Sequence, residues 1–368
     1  MKLAMLRASA LVAIMGAAAG APATKCNSTG PSTPATTLQH WPSAAASALD
    51  AMIRRHAHSG AYAVFDMDNT AYRFDLEESL LPYLESRGVL TRAGLDPSLR
   101  IIPFADSESH SESLYSYYLR LCAVDDAVCY PWVAQVFSGI PLRELKAHVD
   151  ELMALEGTVA TTVTADNGTV VPVEVSPPRP FRGQQELFGR LMDNGIAVYV
   201  MTAASEELVR MVASDPRYGY NVPAQNVVGV TMLMTNLTDP AAPPTTSRKQ
   251  IAEGRYDQAA NLRDMQMTPY LWTPATWKAG KHAAILTYID EWRMPVLVAG
   301  DTPDGDGYML FHATDVKQGG VRVWVNRKES SMKKLQGMID TNTRRQTELG
   351  LEVTANKNWV IVKPEEIL

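Results

Sequence analysis

Tyr62-Ala63-Val64-Phe65-Asp66-Met67-Asp68-Asn69-Thr70 is the stretch on which the reading of the fold turns. Apolar residues run without a polar break and then stop at an acid, a spacer, a second acid, a spacer and Thr. An unbroken apolar run of this kind reads as a strand buried on both faces, as in a parallel sheet. The carboxylates then stand at its C-terminal end, the edge where open α/β sheets bind ligands. Alternation along an extended chain points Asp66 and Asp68 the same way. Two like charges so close repel, and a divalent cation or a proton held by one of them resolves the conflict. The same residues also suit a strand followed by an Asx turn, because Asp and Asn favour turns. The elements that follow decide between these readings.

Outward from this strand the pattern alternates. A helix is expected over 42–58, where Ala45, Leu49, Met52 and Ile53 recur at three- and four-residue spacings, with Gly60 closing it. Asp75 with Glu78 three residues on fits a capping box. From there to about residue 180 the pattern is mostly helical, with candidates at 109–121, 131–136 and 142–155. The segments 158–164 and 170–175 flank Asp166-Asn167-Gly168, a hairpin signal. Ser176-Pro177-Pro178-Arg179-Pro180 closes the segment as a linker. Beyond it come a helix at 184–194, a buried strand at 196–201 and a helix at 205–214. Strands at 227–234 and 261–271 flank a polar loop, 239–255. A helix grows out of 277–288, a third buried strand runs over 295–299, and a strand at 321–325 precedes a charged helix near 329–347. Strands alternating with helices predict a parallel sheet with right-handed crossovers.

The chain has 368 residues, 46% hydrophobic and 20% charged, an ordinary globular balance that allows one large domain plus an insertion. Its net charge of −6 argues against a nucleic-acid binder, which needs a basic face. Lys2 and Arg7, an apolar segment over 8–19 and small residues near 17–23 read as a secretory signal peptide over 1–23. An uncleaved anchor is the competing reading. No later apolar run is long enough to span a bilayer. Residues 24–37, rich in Ser, Thr and Pro, read as a disordered tail. There are three cysteines. In an oxidising compartment Cys122 and Cys129 close a small loop, leaving Cys26 odd. Asn27, Asn167 and Asn236 begin glycosylation sequons.

Four motifs in order carry a resemblance to the haloacid dehalogenase superfamily of phosphohydrolases. Asp66-Met67-Asp68-Asn69-Thr70 resembles the first motif, and the strand ending Val200-Met201-Thr202 the second. Lys281 suits the third-motif lysine, with Lys278 as competitor. Gly300-Asp301-Thr302-Pro303-Asp304-Gly305-Asp306 resembles the acidic fourth, against the alternatives of a simple turn or a calcium loop. Within the superfamily the wording is most similar to that of phosphorylcholine phosphatases. The resemblance implies a Rossmann-like α/β core over 38–75 and 181–368, with a mainly helical cap inserted at 76–180. It implies Asp66 as nucleophile, forming an aspartyl-phosphate, and Asp68 as general acid and then base. Thr202, Ala203 and Lys281 would bind phosphate, though Thr202 also suits a helix cap. Asp66, Asp68 through its carbonyl, Asp301 and Asp306 would hold Mg²⁺ directly or through water.

A quaternary ammonium cannot donate a hydrogen bond, so its recognition needs aromatic faces and a nearby carboxylate. Candidates are Glu77, Glu78, Tyr115, Tyr118 and Trp277, with Tyr72, Tyr117, Trp132 and Trp272 behind them. The expected activity is a secreted phosphomonoesterase, extracellular or periplasmic, with phosphocholine favoured. Phosphoserine, phosphoethanolamine, a broad substrate range, or a non-catalytic choline- or phosphate-binding protein are the alternatives.

Overall fold

The computed structural model describes residues 38–272 and 274–368. The expected signal peptide and tail lie outside them. Helix α1 (Ser43–His56) buries Leu49, Met52 and Ile53 and leads to strand β1 (Tyr62–Phe65), every residue of which is buried. A short β2 (Tyr72–Arg73) and helix α2 (Leu76–Ser86) follow. Asp75 caps α2, accepting from the Glu78 amide at 2.9 Å, and Glu77 and Glu78 in the first turn suit the helix dipole. Next come α3 (Leu114–Val124), α4 (Asp126–Gln135), α5 (Leu142–Met153), the hairpin β3 (Val159–Thr164) and β4 (Val170–Val175), and a short β5 (Arg179–Pro180) paired with β2. A disulfide joins Cys122 of α3 to Cys129 of α4.

The chain then returns to the main sheet through α6 (Arg182–Asp193), β6 (Ala197–Ser205), α7 (Glu206–Ala213), β7 (Val227–Asn236), α8 (Ser247–Ala252), α9 (Gln258–Asp264) and β8 (Met265–Trp272). Helix α10 (Ala279–Tyr288), β9 (Leu297–Gly300), α11 (Pro303–His312), β10 (Val321–Val325), α12 (Glu329–Glu348) and β11 (Trp359–Val362) complete it. The seven-stranded sheet has the order β11-β10-β9-β1-β6-β7-β8. All neighbours are parallel except β7 and β8. Strand β1 is central, with later strands building outward on both sides, so the crevice at its C-terminal end is a topological switch point. This is a doubly wound α/β architecture of the expected Rossmann-like kind. No helix among the described residues is long and apolar enough to cross a membrane.

Several boundaries differ from expectation. Residues 261–264 end helix α9 instead of starting a strand, because Asp257 caps that helix by accepting from the Ala260 amide at 3.0 Å. Strand β8 begins only at Met265 and runs antiparallel, an edge that period and composition did not reveal. Helix α3 starts at Leu114 because the Ser113 hydroxyl accepts from the Ser116 amide. Helix α4 starts well before Pro131, which it accommodates internally. Strand β11 was not anticipated.

Phe188 of α6 is fully buried, its ring 4.3 Å from that of Phe65 on β1 and 5.4 Å from that of Tyr220. Phe188→Ala is therefore expected to cost about 3–5 kcal/mol, the range for truncating a buried aromatic. Denaturant unfolding measures it, and a loss below about 1 kcal/mol would contradict this packing.

Candidate active site

Register assembles the site. Phe65 pairs with Val200 on β6 and with Ala299 on β9, so the next residues on all three strands emerge together. The Asp66 amide donates to the Ala299 carbonyl at 3.0 Å. Asp301 directly follows the last residue of β9, and Asp306 lies within the first turns of α11. That helical start settles the 301–306 cluster as neither a free turn nor a calcium loop. Lys281, in the first turn of α10, places Nζ 2.7 Å from Asp66 Oδ1 and 2.7 Å from Asp306 Oδ1. Asp306 Oδ2 accepts from the Asp301 and Thr302 amides, each at 2.9 Å. Two glycines permit this closeness. A Cβ at Gly300 would lie 2.6 Å from the Asp306 carboxyl carbon, and one at Gly280 would lie 2.1 Å from the Ala275 carbonyl oxygen.

Asp68 is held separately. Its Oδ1 accepts from the Tyr72 hydroxyl at 2.7 Å and from the Leu76 amide at 2.8 Å. The loop between them closes through the Asn69 amide on the Phe74 carbonyl and the Phe74 amide on Asn69 Oδ1. Both residues have positive φ, 57° and 70°; for Phe74 this is a strained backbone, of the sort concentrated at functional sites. Thr202 sits in an irregular part of β6, where its Oγ1 accepts from the Ala204 amide at 3.1 Å. It does not cap α7, whose N-cap is Ser205.

These groups surround a cavity of about 150 Å³. Its lining includes Asp66, Asp68, Asp75, Glu77, Glu78 and Asp301, with Thr202 and Ala203. Against these carboxylates, the lining cations are Lys281 and Arg327. Tyr118, Tyr130 and Val133 close the helical side, and the Tyr118 hydroxyl lies 3.4 Å from Glu78 Oε1. A larger cavity of about 690 Å³ lies elsewhere, between the 89–100 segment and β8, and has no comparable acid cluster.

Other candidates fall outside the cavity. Tyr115 and Trp277 pack against the core and do not line it. Tyr72 holds Asp68. Tyr117 and Trp132 are buried, with the Trp132 Nε1–H donated to the Leu99 carbonyl. Trp272 is exposed on β8, and Lys278 pairs with Asp126 at 3.2 Å. Asp304 is exposed and paired with Lys334. Asp75, Tyr130, Val133 and Arg327 were missed as site residues. Asp75 could be read only as a cap, and the others lie in no motif.

Burial raises the carboxyl pKa values here. Asp68 is pushed up to about 8 by burial and then by Asp75, against the hydrogen bonds it accepts. Asp66 is raised by burial and by Asp306, with Lys281 opposing. Burial likewise raises Asp301, against the pull of Arg327, and Glu77. Burial works against the Lys281 charge, yet Asp306 and Asp66 hold its pKa above the ordinary value. Asp66, Asp301 and Asp306 each offer an oxygen, all buried and within 4.8 Å of one another. Asp301 Oδ2 makes no aligned hydrogen bond and meets only the ion pair to Arg327. This hard, anionic donor set fits a divalent cation.

Fold and site together define a phosphoric monoester hydrolase of the haloacid dehalogenase type. The chain is 62% identical over 333 residues to the phosphorylcholine phosphatase of Pseudomonas aeruginosa, covering 90% of this chain and 94% of that one. It belongs to the phosphorylcholine phosphatase family. No family model matches it. Among solved structures it is similar to a conserved protein of unknown function from Anaerococcus prevotii, with a TM-score of 0.55 and 17% identity over 83% of this chain and 90% of that one. That likeness shows the fold. A protein of unknown function from Bordetella pertussis gives a TM-score of 0.46 and 11% identity, over 75% and 95% of the two chains.

The Asp68 proton has a measurable consequence. The folded chain keeps it up to about pH 8, whereas an unfolded carboxyl releases it near 3.8. The fold thus binds more protons between those values, and the associated stability, fully present at the acid end, is lost as pH rises through the interval. Asp68→Asn, which cannot ionise, should flatten this decline in thermal unfolding of the metal-free protein. An unchanged slope would mean that Asp68 is already ionised in the fold.

Proposed function

We propose that this hydrolase takes phosphocholine, uses Mg²⁺ and works through an aspartyl-phosphate on Asp66. The charge of the cavity carries the reading. Its acidic side chains outnumber its bases, Lys281 and Arg327, and Glu78 stands beside Tyr118, with Tyr130 lining the same cavity. A cavity with so few bases suits a substrate that brings its own fixed cation, whose charge favours the ionised form of the acids beside it. Aromatic faces beside a carboxylate suit a quaternary ammonium, which has no proton to donate. The identity to a phosphorylcholine phosphatase supports the same substrate.

In the reaction, an Asp66 oxygen attacks phosphorus and the bond from phosphorus to the choline oxygen breaks. Asp68 gives its proton to the departing oxygen. The Asp68 carboxylate then takes a proton from water, whose oxygen attacks the same phosphorus and releases Asp66 and inorganic phosphate. Lys281 offsets charge on Asp66 and on the phosphoryl group, while the Thr202 hydroxyl and Ala203 amide donate to phosphoryl oxygens. Asp66, Asp301 and the Asp68 main chain would hold Mg²⁺, which supplies positive charge to the phosphoryl oxygens when bound. Asp306, engaged on both oxygens, would act on it through water. The 76–180 segment serves as a cap, a role supported by the side chains it brings to the cavity: Glu77, Glu78, Tyr118 and Tyr130. The signal-peptide pattern of the sequence over 1–23 and the Cys122–Cys129 disulfide support secretion.

Phosphate release from phosphocholine, phosphoethanolamine, phosphoserine and p-nitrophenyl phosphate, with and without Mg²⁺, tests this. A Mg²⁺-dependent preference for phosphocholine is expected. Equal rates on all four would leave the cap as a mere lid and favour a broad phosphatase, and tight binding without phosphate release would favour a binding protein. Glu78→Gln should raise KM for phosphocholine by a few-fold to about thirtyfold, the worth of about 0.5–2 kcal/mol for cation recognition, and leave p-nitrophenyl phosphate unaffected. Asp68→Asn should lower kcat by about 10²–10⁴-fold on every substrate with the fold intact.

A further inference from the structure

Arg327 lies in the short connection between β10 and α12, outside every motif. Its Nε pairs with Asp301 Oδ2, and its charge also favours the ionised forms of Asp75 and Glu78. The other Asp301 oxygen, Oδ1, accepts from the Thr70 hydroxyl at 3.2 Å. Asp306 is engaged on both oxygens, and Asp66 Oδ1 is taken by Lys281. The acid cluster is therefore closed by two protein cations. They differ in their freedom. The Lys281 side chain is 2% exposed and gripped by two carboxylates, whereas that of Arg327 is 28% exposed and holds a single carboxylate of the cluster.

A divalent ion that Asp301 helps to hold would need an oxygen of that carboxylate. A guanidinium and a metal ion on one carboxylate repel each other, and the less buried of the two protein cations is the one that can withdraw. We propose that Arg327 is an internal counter-cation for Asp301, which it holds when no metal is bound and surrenders to the incoming ion, so that it competes with the metal and sets its affinity. This rests on the divalent-metal reading above. It gives Arg327 a positioning role that motif order alone does not assign: keeping a buried carboxylate compensated until the ion arrives. A buried charge left without a partner is strongly destabilising, so the device also protects the metal-free fold.

The test is calorimetric titration of the full chain with Mg²⁺, beside thermal unfolding in chelator and in saturating Mg²⁺. Arg327→Gln should bind Mg²⁺ at least tenfold more tightly than the unsubstituted chain. It should melt lower than that chain in chelator and level with it in Mg²⁺. Arg327→Lys, which keeps the charge but loses the planar fork, should bind with intermediate affinity, and it decides the matter if the Gln variant does not fold without metal. Equal or weaker binding in these variants would overturn the proposal, because Arg327 would then be supporting Asp301 as a ligand and not competing for it. Absence of any Mg²⁺ binding by the unsubstituted chain would instead remove the metal reading itself, and this proposal with it.

Discussion

An ammonium group sealed between Asp66 and Asp306, 2.7 Å from each, holds the C-terminal edge of the sheet together. Without it, two carboxylates would face one another in a region that water scarcely reaches, and breaking such a buried arrangement by removing one partner costs about 3–5 kcal/mol. Much of the surrounding geometry follows from accommodating Lys281. Gly280 lets α10 approach the Ala275 carbonyl, and Gly300 lets β9 end against the Asp306 side chain. The amides of Asp301 and Thr302 occupy the second Asp306 oxygen, so this carboxylate cannot turn away. The nucleophile candidate is thus aimed by a chain of contacts running α11, Asp306, Lys281, Asp66.

The same problem arises elsewhere in the core and is solved by the same means. Glu206, fully buried at the start of α7, pairs with Arg210 and Arg248, and its other oxygen accepts from the Gly229 amide and the Thr231 hydroxyl. Arg248 also donates to the Val227 carbonyl, which ties α8 to the start of β7. These charges fasten an irregular excursion to the sheet. Around the cavity, by contrast, the acids exceed the available bases. A structural network is neutralised within the fold, while the cavity leaves acids that no base of its lining answers.

Much of this was legible in the chain. Apolar runs ending in Asp66, Thr202 and Asp301 marked three adjacent parallel strands, because strands buried on both faces leave no polar residue to blur the signal. Of the two lysines the sequence offered, the structure brings Lys281 to Asp66 and sends Lys278 to Asp126. The helical insertion was harder. Tyr115 and Tyr118 occupy one helix three residues apart, yet only Tyr118 reaches the cavity, and Tyr130 and Val133 arrive from a second helix. Which face of a helix looks inward depends on its partners, and a single sequence does not state them. Arg327 was invisible for the same reason: a lone Arg after a strand gains meaning only when Asp301 is found beside it. Strand β8 was blurred by the helix fused to its start, where apolar residues of both elements run together.

The disulfide between α3 and α4 has a consequence beyond the two helices it joins. Cys122 lies one turn after Tyr118, and Cys129 immediately precedes Tyr130. The two aromatic side chains at the cavity are therefore carried on one cross-linked hairpin, while Asp66 and Asp301 directly follow strands of the sheet. The aromatic wall of the cavity and its cluster of Asp66, Asp301 and Asp306 thus come from different lengths of chain. A substitution in the hairpin can therefore reshape the aromatic wall without displacing that acid cluster.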